Sequence, residues 1–443
     1  MDATVVASAT DPEAATHMTH NPQRLWHPFA DMARVPAREL VFVRGEGAWL
    51  EDEQGRRYLD ATASLWYCNV GYGRAELADA AAAQMRDLAA YSTFGVYANR
   101  PALELADRLA DIAPVDDAAV FLTTGGSDAV DTAGKIARRY WWLRGEPQRT
   151  VLVARSEAYH GMNAYGTSLA GIRPNAEGWG PLVTDVLHVP HDDAAELERV
   201  LTEHGDRVAA FIGEPVIGAG GVVPPPDGYW EHVQRACAAH GTLLIADEVI
   251  TGYGRTGPWF ASERFGIEPD LVTTAKGLTS GYLPLGAVLC GSRVREVLWS
   301  ETAGPFRHGY TYSGHAAGCA VALRNLDIIE REGLRDRVRG LEPVLARALA
   351  GLESAPLVEE TRSVGLLGAV ELSAEARAED PGLADRVVAE LQDDGVLVRS
   401  LVGHSLQISP PFVITEQELG LLAERIGGAL ERVAQRSGFG VPA

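Results

Sequence analysis

The 443-residue sequence has only four cysteines, and no two of them stand in a C-x-x-C spacing. Cys68, Cys237, Cys290 and Cys319 lie far apart, which argues against a disulfide framework and against a cysteine-based metal site. Cysteines used in this way are usually small buried hydrophobes in a reducing compartment. We therefore expect a cytoplasmic protein.

Positive charge is scarce as well. Lys and Arg together number 39 against 60 for Asp and Glu, a net charge of −21, which excludes an overall attraction to nucleic acid or anionic membranes. No segment approaches 18 uninterrupted apolar residues, so no membrane span is expected. No apolar segment precedes the first basic residue, Arg24. Residues 1–20 therefore read as a disordered polar tail and not as a signal peptide.

The middle of the chain alternates short apolar runs with amphipathic segments. The helical segments, 192–205 and 228–241, each end at a glycine, as helices often do. Such alternation predicts a mostly parallel sheet with helices on both faces, and ligand-binding residues at the carboxyl ends of its strands. The predicted strands are 150–154, 208–213, 242–246, 271–275 and 285–291.

The last third of the sequence has a different pattern, with helices in 341–355 and 384–395 and short strands in 396–400 and 405–411. It predicts a smaller α+β domain from residue 325 to residue 443. Segment 40–60 predicts a hairpin that turns at Gly55. We assign residues 21–75 to the small domain as its N-terminal part, and residues 76–324 to the large domain.

A glycine-rich loop follows the predicted strand 242–246. Residues 252–257 have the G-x-G-x-x-G pattern of a dinucleotide-binding turn, and Asp270 stands where a ribose-binding acid is expected. However, five residues separate the strand from the first glycine, whereas a dinucleotide turn places that glycine at the strand end, where a helix N-terminus meets the pyrophosphate. The spacing argues against NAD and leaves the glycines a structural role.

Two charged residues at strand ends need partners. Asp247 follows strand 242–246, and a buried carboxylate there requires a cation or several hydrogen-bond donors; a loop acid bound by backbone N–H groups is one alternative. Lys276 follows strand 271–275 and is either a lysine with its stem on apolar surface or an amine poised to attack a carbonyl. Gly277 and Gly281 would let a planar group approach the backbone.

Two further strand ends carry polar or aromatic residues. In TTGGSDAV, Gly126 and Ser127 open a helix whose N–H groups could hold a phosphate, although Ser127 could also be an ordinary N-cap. In AYHGM, Tyr159 could cover a flat ring. His160 has no second ligand at metal spacing, so we predict no metal site.

Pyridoxal 5′-phosphate (PLP) requires a phosphate-binding site, an aromatic side chain against its ring, a buried carboxylate and a reactive lysine, and the four strand ends together offer all of these. The sequence LLIADEVITGYGRTGPWFASERFGIEPDLVTTAKGLTSGYLPLGAV carries acid, glycine loop and lysine in one order. With LWHPFADM, GEPVIGAGGVV and RHGYTYSGHAAG it resembles the class III aminotransferases of PLP fold type I, in their ω-amino acid or amine:pyruvate branch. The resemblance runs from about Leu25 to the C-terminus. It implies a seven-stranded large-domain sheet.

The resemblance also implies residue roles at the cofactor. Lys276 resembles the lysine that binds PLP covalently, and Asp247 the acid at the pyridine nitrogen. Val249 and Tyr159 resemble the residues on the two ring faces. One departure is Gly125, where the family often has serine. The remaining expected cofactor contacts are Gly126, Ser127, His160, Glu214, Tyr310 and Thr311.

On the substrate side, Arg399 resembles a mobile arginine that pairs with a substrate carboxylate. Tyr310 and Thr311 resemble a pair that reaches the phosphate of a neighbouring subunit, which implies a homodimer, or a tetramer of such dimers, with shared sites. The implied substrates are an amine or ω-amino acid donor and a keto acid such as pyruvate. The expected pocket residues are Phe29, Trp66, Phe94, Ala219 and Arg399.

Other functions on the same scaffold stay open at this point. An aminomutase, a racemase or a decarboxylating transaminase would use the same lysine and acid, because fold does not fix chemistry. A catalytically silent binding protein is a further alternative, and the presence of both Lys276 and Asp247 argues against it. The donor, the preferred acceptor, the stereoselectivity and the pathway do not follow from the sequence.

Overall fold

A computed structural model describes residues 24–35 and 38–437. The predicted polar tail, residues 1–20, lies outside the described residues. Fifteen strands occur in the described part of the chain. In chain order they are β1 Phe42–Glu46, β2 Trp49–Asp52, β3 Arg57–Asp60, β4 Ala119–Thr123, β5 Val151–Arg155, β6 Val186–Val189, β7 Val208–Gly213, β8 Leu243–Asp247, β9 Leu271–Thr274, β10 Gly286–Cys290, β11 Val358–Val364, β12 Leu367–Leu372, β13 Val396–Leu397, β14 Arg399–Leu401 and β15 Ser405–Ile408.

The helices alternate with these strands through the middle of the chain and dominate its last third. Short 3₁₀ turns also occur at Arg173–Ala176 and Lys276–Leu278. In chain order the helices are α1 Ala63–Trp66, α2 Ala75–Leu88, α3 Arg100–Ile112, α4 Gly126–Leu143, α5 Ala164–Leu169, α6 Ala194–His204, α7 Tyr229–Ala239, α8 Ala261–Phe265, α9 Ser292–Leu298, α10 Ala316–Arg331, α11 Leu334–Ala350, α12 Ala374–Glu379, α13 Leu383–Asp393 and α14 Glu416–Ser437.

A seven-stranded sheet forms the centre of the molecule, with the strand order β4-β10-β9-β8-β7-β5-β6. Neighbouring strands from β9 to β6 run parallel, and β10 is antiparallel to both β4 and β9. The predicted mostly parallel sheet is thus confirmed. The run 285–291 is the reversed strand, a feature that an apolar pattern does not encode.

Helices cover both faces of this sheet, which explains why apolar residues of its strands point to both sides. Leu152 and Ile245 pack with α4 on one face. Val153 and Leu244, their immediate neighbours in sequence, pack with α6 and α7 on the other. Both amphipathic segments predicted at 192–205 and 228–241 are therefore helices, and each buries its apolar side against the sheet.

Two four-stranded sheets flank the centre, with the orders β1-β2-β3-β13 and β11-β12-β15-β14. The predicted hairpin at Gly55 is the β2–β3 pair. β13 from the C-terminal third runs parallel to β3, so N- and C-terminal segments share one sheet. Residue 325 lies within α10, and the division at 324/325 stays a prediction. The four cysteines are buried free thiols.

The glycine loop at 252–257 joins the large sheet to the C-terminal segments. Arg255 is fully buried there and donates to the carbonyls of Leu366 and Pro410 and to the Asn69 side chain, at 3.2, 2.6 and 2.6 Å. Gly257 has φ +104°, which favours glycine. The glycines therefore shape a turn that directs Arg255 toward the C-terminal segments. No helix in the described residues is long and apolar enough to cross a membrane.

Candidate active site

Eight of the ten predicted cofactor residues meet at the carboxyl ends of the central strands. They surround a cavity of about 200 Å³, together with Val130, Gly161 and Ile250. The strand order explains the meeting, because parallel neighbours end at one sheet edge. The eight predicted residues that line it are Gly126, Ser127, Tyr159, His160, Glu214, Asp247, Val249 and Lys276.

Asp247 ends β8 and lies at the cavity wall, 3% exposed. Its Oδ1 accepts from Thr273 Oγ1 at 2.9 Å and from the Val249 N–H at 3.2 Å, and its Oδ2 lies 2.7 Å from His160 Nδ1. Thr273, on the neighbouring strand β9, was missed by sequence reasoning. The only signal was a polar residue within an apolar run.

His160 is 1% exposed and has one ring nitrogen against Asp247. Its other nitrogen, Nε2, is buried and has no hydrogen-bond partner among the described residues. A buried, unpaired ring nitrogen is costly unless another group satisfies it. The contact between His160 and Asp247 therefore fixes the orientation of the carboxylate. It leaves His160 Nε2 without a partner beside the cavity.

Lys276 follows β9 and faces the same cavity. Its φ of +41° is unusual for a residue other than glycine, and such strain concentrates at functional sites. Burial lowers the pKa of its amine to about 8, although the nearby carboxylates of Asp247 and Glu214 act in the opposite direction. The amine is 5.5 Å from the centre of the Trp66 ring. A large neutral fraction near pH 8 suits a nucleophile and base.

The first turn of α4 borders the cavity with very little spare room. A Cβ on Gly126 would lie 2.8 Å from Val249 Cγ1, and one on Gly161 would lie 2.5 Å from Ser127 Oγ. The N-cap Gly125 has no side chain, so the N–H groups of the first turn remain open to an anion. The departure from serine at residue 125 thus leaves the helix terminus usable.

Glu214 is the second buried carboxylate near Lys276. Its Oε1 accepts from the Tyr159 N–H at 3.1 Å and its Oε2 from the Gly218 N–H at 2.9 Å. Burial raises the pKa of this carboxyl group. The buried Arg155 donates to the Glu214 backbone carbonyl. These contacts hold Tyr159 at the cavity wall, where an aromatic ring could cover a flat ligand.

Gly277 and Gly281 do not serve the purpose predicted for them. A Cβ on Gly277 would lie 2.4 Å from Asn69 Nδ2, and a Cβ on Gly281 would lie 2.3 Å from the Tyr67 ring. The space beside both glycines is therefore filled by the segment that precedes α2. They allow close packing of protein segments behind Lys276 and not the approach of a ligand, which corrects the prediction.

Three of the predicted substrate residues lie beside Lys276. Trp66 is 3% exposed, and Ala219 packs with it in one apolar cluster. The Arg399 guanidinium carbon is 5.1 Å from the centre of the Trp66 ring. Burial lowers the pKa of Arg399. No carboxylate pairs with Arg399 among the described residues.

The remaining predicted residues lie away from the cavity in a single chain. Phe29 is 71% and Phe94 51% exposed, and Thr311 is exposed too. Tyr310 Oη donates to the Asp128 carbonyl at 3.0 Å, so it contacts α4 outside the cavity. Four of the predicted site residues are thus not brought to Lys276 within one subunit. Their roles at the site stay predictions.

The residues present fit PLP. An enclosed cavity, an open helix terminus, a rigid buried carboxylate, an unpaired imidazole nitrogen and an amine with a pKa of about 8 together supply its phosphate, ring and aldehyde contacts. Fold and site therefore define a PLP-dependent transferase of fold type I.

Comparisons with known proteins identify the family. The class III aminotransferase family model matches residues 32–430. Putrescine–pyruvate aminotransferase of Pseudomonas aeruginosa is 38% identical over 431 residues, covering 92% of this chain and 94% of that protein. β-Alanine–pyruvate aminotransferase of the same organism is 37% identical over 433 residues, with 92% and 96% covered.

Solved structures agree. The ω-transaminase of Pseudomonas jessenii in complex with PMP has a TM-score of 0.90 and 35% identity, covering 98% of this chain and 100% of that one. The chain belongs to the class III aminotransferases, and PLP is its cofactor.

Proposed function

We propose that this aminotransferase moves an amino group from an amine or ω-amino acid to a keto acid such as pyruvate. The observation that carries the proposal is the amine of Lys276, with a pKa of about 8, in one cavity with the buried Asp247. The names of the relatives support pyruvate as acceptor and a donor whose amine is remote from any carboxylate.

PLP would be held by the first turn of α4 at its phosphate, by Tyr159 and Val249 at its ring faces and by Asp247 at its ring nitrogen. Bound there, it supplies a carbonyl for amine exchange and an electron sink at the reacting carbon. Asp247 is held in one orientation because Thr273 and the Val249 N–H donate to its Oδ1 and His160 Nδ1 lies 2.7 Å from its Oδ2.

Lys276 is the base and acid of the reaction. With PLP bound, the free amine of Lys276 would take a proton from the reacting carbon of the substrate and later release it to the cofactor side of the pocket. A pKa of about 8 suits both directions, since the amine then gives up and regains a proton near neutral pH. Lys276 lines the cavity from a backbone position with φ +41°.

Trp66, Ala219 and Arg399 form the substrate wall. Arg399 would pair with the carboxylate of a keto acid, and its lack of a carboxylate partner in the described residues leaves it free to do so. Trp66 stacks beneath this guanidinium and beside Lys276, so it would limit the bulk of the group next to the reacting carbon.

The functional unit we propose is a homodimer, alone or within a tetramer, in the cytoplasm. Large apolar side chains are exposed along residues 91–97, among them Tyr91, Phe94, Val96 and Tyr97, and such patches mark interfaces. In a dimer formed through this patch, Phe94, Tyr310 and Thr311 of each subunit would lie toward the cavity of the other subunit. Phe29, exposed on a separate segment, would also need a partner to reach a site.

A donor panel with pyruvate tests the proposed function. Purified protein with PLP is mixed with pyruvate and putrescine, β-alanine, an aryl-alkyl amine or taurine, and alanine formation is measured. We expect alanine from at least one donor and no carbon dioxide or rearranged amine. Product without any keto acid would instead indicate a mutase or racemase.

A further inference from the structure

The sheet that carries Arg399 has a second arginine on the same face. In the β11-β12-β15-β14 sheet, Arg362 pairs with Ala369, Ala369 with Gln407, and Gln407 with Arg399. Directly paired residues place their side chains on one face. Arg362 and Arg399 therefore stand at opposite edges of one face, roughly 14 Å apart at about 4.8 Å per strand.

This face packs against the walls of the substrate pocket. Ala369 and Leu401 belong to the same buried cluster as Trp66, Ala219 and Val222. Gln407 Nε2 donates to the carbonyl of Thr62, just before the segment that carries Trp66, at 3.4 Å. One sheet face thus touches both of the apolar walls and presents Arg399 itself.

Arg362 binds the turn on which Ala219 lies. Its Nη2 donates to the Gly221 carbonyl at 2.8 Å, and its Nε donates to the Val222 carbonyl at 3.2 Å. The same Nη2 also reaches Glu371 on β12 at 2.7 Å and Ser405 on β15 at 3.2 Å. A single guanidinium therefore joins the turn to two strands of the Arg399 sheet.

The carboxylate that fixes Arg362 is firmly ionised. Burial alone would raise the pKa of Glu371, but hydrogen bonds from His404, Ser405 and Arg362 lower it to about 2. His404 lies in the turn that joins β14 to β15, with Nδ1 2.7 Å from Glu371. The turn that connects the Arg399 strand to its neighbour is therefore part of the same polar cluster.

The Ala219 turn has little freedom of its own once this cluster is formed. Ile217 and Val223 exchange backbone hydrogen bonds at its base, and a Cβ on Gly221 would lie 3.3 Å from His404 Cε1. Glu214 accepts from the Gly218 N–H at 2.9 Å. The turn is thus fastened to the cofactor cavity at one end and to the Arg399 sheet at the other.

We propose that Arg362 is a positioning residue that sets the distance between Ala219 and Arg399 and so determines the size of substrate that pairs with Arg399. The inference rests on the proposed role of Arg399 in binding the keto-acid carboxylate. Without Arg362, the Ala219 turn is released from the sheet. The pocket then widens and a small keto acid is held less well, whereas a longer keto acid gains room.

The test compares Arg362→Met with wild type on pyruvate and on 2-oxopentanoate, with one fixed donor. Methionine keeps an aliphatic stem and removes all donors. The matched control is Arg264→Met, because Arg264 also donates to a backbone carbonyl, that of Thr256 at 3.1 Å, and to a carboxylate, Glu342, but lies away from the pocket. Arg362→Lys serves as the conservative variant.

We expect Arg362→Met to raise the KM for pyruvate about tenfold, the range for lost hydrogen bonds to charged groups. Its kcat should change less than threefold, and its preference should shift toward 2-oxopentanoate about tenfold. Arg264→Met should show none of this. Arg362→Lys should recover part of the pyruvate preference.

Hydrogen exchange of the PLP-loaded protein gives a readout that does not depend on turnover. The backbone amides of residues 217–223 should exchange faster in Arg362→Met than in wild type. Their exchange rates should be unchanged in Arg264→Met. Unchanged substrate preference in an Arg362→Met enzyme that still converts pyruvate to alanine would overturn the proposal. If wild type itself makes no alanine, the proposed function fails instead, and the exchange result still reports on the turn.

Discussion

The cavity around Lys276 and the aromatic segment around Phe94 differ in solvent exposure. The first is enclosed within one chain, and the second is exposed. In the cavity, Asp247 has three partners and His160 is buried. Phe94 is 51% exposed and lines a separate surface cleft with residues 306–309. One subunit thus encloses the lysine, the acid and the histidine of the cofactor cavity, whereas the segment around Phe94 has open apolar surface.

This difference separates chemistry from recognition. Groups that must handle charge are enclosed, because low solvent access strengthens their interactions. The outermost groups of the substrate wall, such as Phe94, lie on segments that can vary or that await a partner. Variants of the enclosed groups should therefore alter the rate most, and variants of the exposed groups should alter affinity.

The largest effect is expected for Lys276→Ala. Loss of the base and acid should lower kcat by at least about 10³-fold, within the range for a positioned proton-transfer group. PLP should still bind without a covalent link, because α4 and Asp247 remain. Single-turnover absorbance and dialysis against PLP measure the two effects.

The composition of the chain supplies a sharp control. Only two lysines are present, Lys135 and Lys276. Borohydride treatment of the PLP-loaded protein, followed by peptide mass analysis, should mark the Lys276 peptide and leave that of Lys135 unmodified. Turnover of Lys276→Ala near the wild-type rate, or label on Lys135 alone, would refute the assignment.

The next largest effect is expected for Asp247, and the adjacent acid Glu248 should behave differently. Asp247→Asn should lower kcat by roughly 10²- to 10³-fold, on the order of the ~3–5 kcal/mol for breaking a buried charge pair. Glu248 instead accepts from Ser262 and Ala261 at the start of α8, at 2.6 and 3.0 Å from their N–H groups. Glu248→Gln should lower Tm by a few degrees and leave kcat nearly unchanged.

Rate assays and thermal unfolding of both variants separate the two roles. A loss below about tenfold for Asp247→Asn, about 1.4 kcal/mol, would make it a loop acid only. The same rate loss in both variants would remove the contrast between an acid that faces the cofactor and one that caps a helix.

The third prediction concerns pH. With a pKa of about 8, the neutral fraction of Lys276 rises about 50-fold from pH 6 to pH 8 and then levels off. Covalent capture of PLP by the protein freed of cofactor should follow that curve, because only the neutral amine attacks. N-α-acetyllysine, with an ordinary pKa, is the reference reaction and corrects for ionisation of PLP itself. A protein curve still rising tenfold per unit beyond pH 9 would contradict an amine desolvated by the cavity.

The sequence could place the buried residues of the cavity for a physical reason. Asp247 and Lys276 directly follow apolar runs, and parallel strands end at one edge, so both positions could be placed. It could not place Thr273, whose role depends on which strand neighbours β8. The reversed direction of β10 and the packing of Asn69 against Gly277 depend on tertiary contacts that no local pattern records.

A smaller effect is expected for Arg399→Ala. The keto-acid half-reaction should show a KM for pyruvate raised about tenfold, since a charge-assisted hydrogen bond to the carboxylate is lost. An aryl-alkyl amine has no carboxylate, so its half-reaction should change less than threefold. The two are followed separately by the cofactor absorbance in rapid mixing. Equal damage to both, or to neither, would leave Arg399 a structural residue that rests on Trp66.

The smallest effect is expected for a substitution of Thr311, a residue at the exposed surface of the chain. Thr311 is exposed in the single chain and would donate to the phosphate in the partner's cavity only in a dimer. Thr311→Val keeps the shape and removes the hydroxyl, so the Kd for PLP should rise about fivefold, the order of one hydrogen bond of ~1 kcal/mol. Thr302→Val, another exposed threonine on the same loop, is the control. Equilibrium dialysis gives the affinity, and light scattering gives the mass of both variants. If the protein is a dimer and both variants bind PLP equally well, the partner completes the site without this hydroxyl. If the protein is a monomer with wild-type affinity for PLP, one chain forms the whole cofactor site.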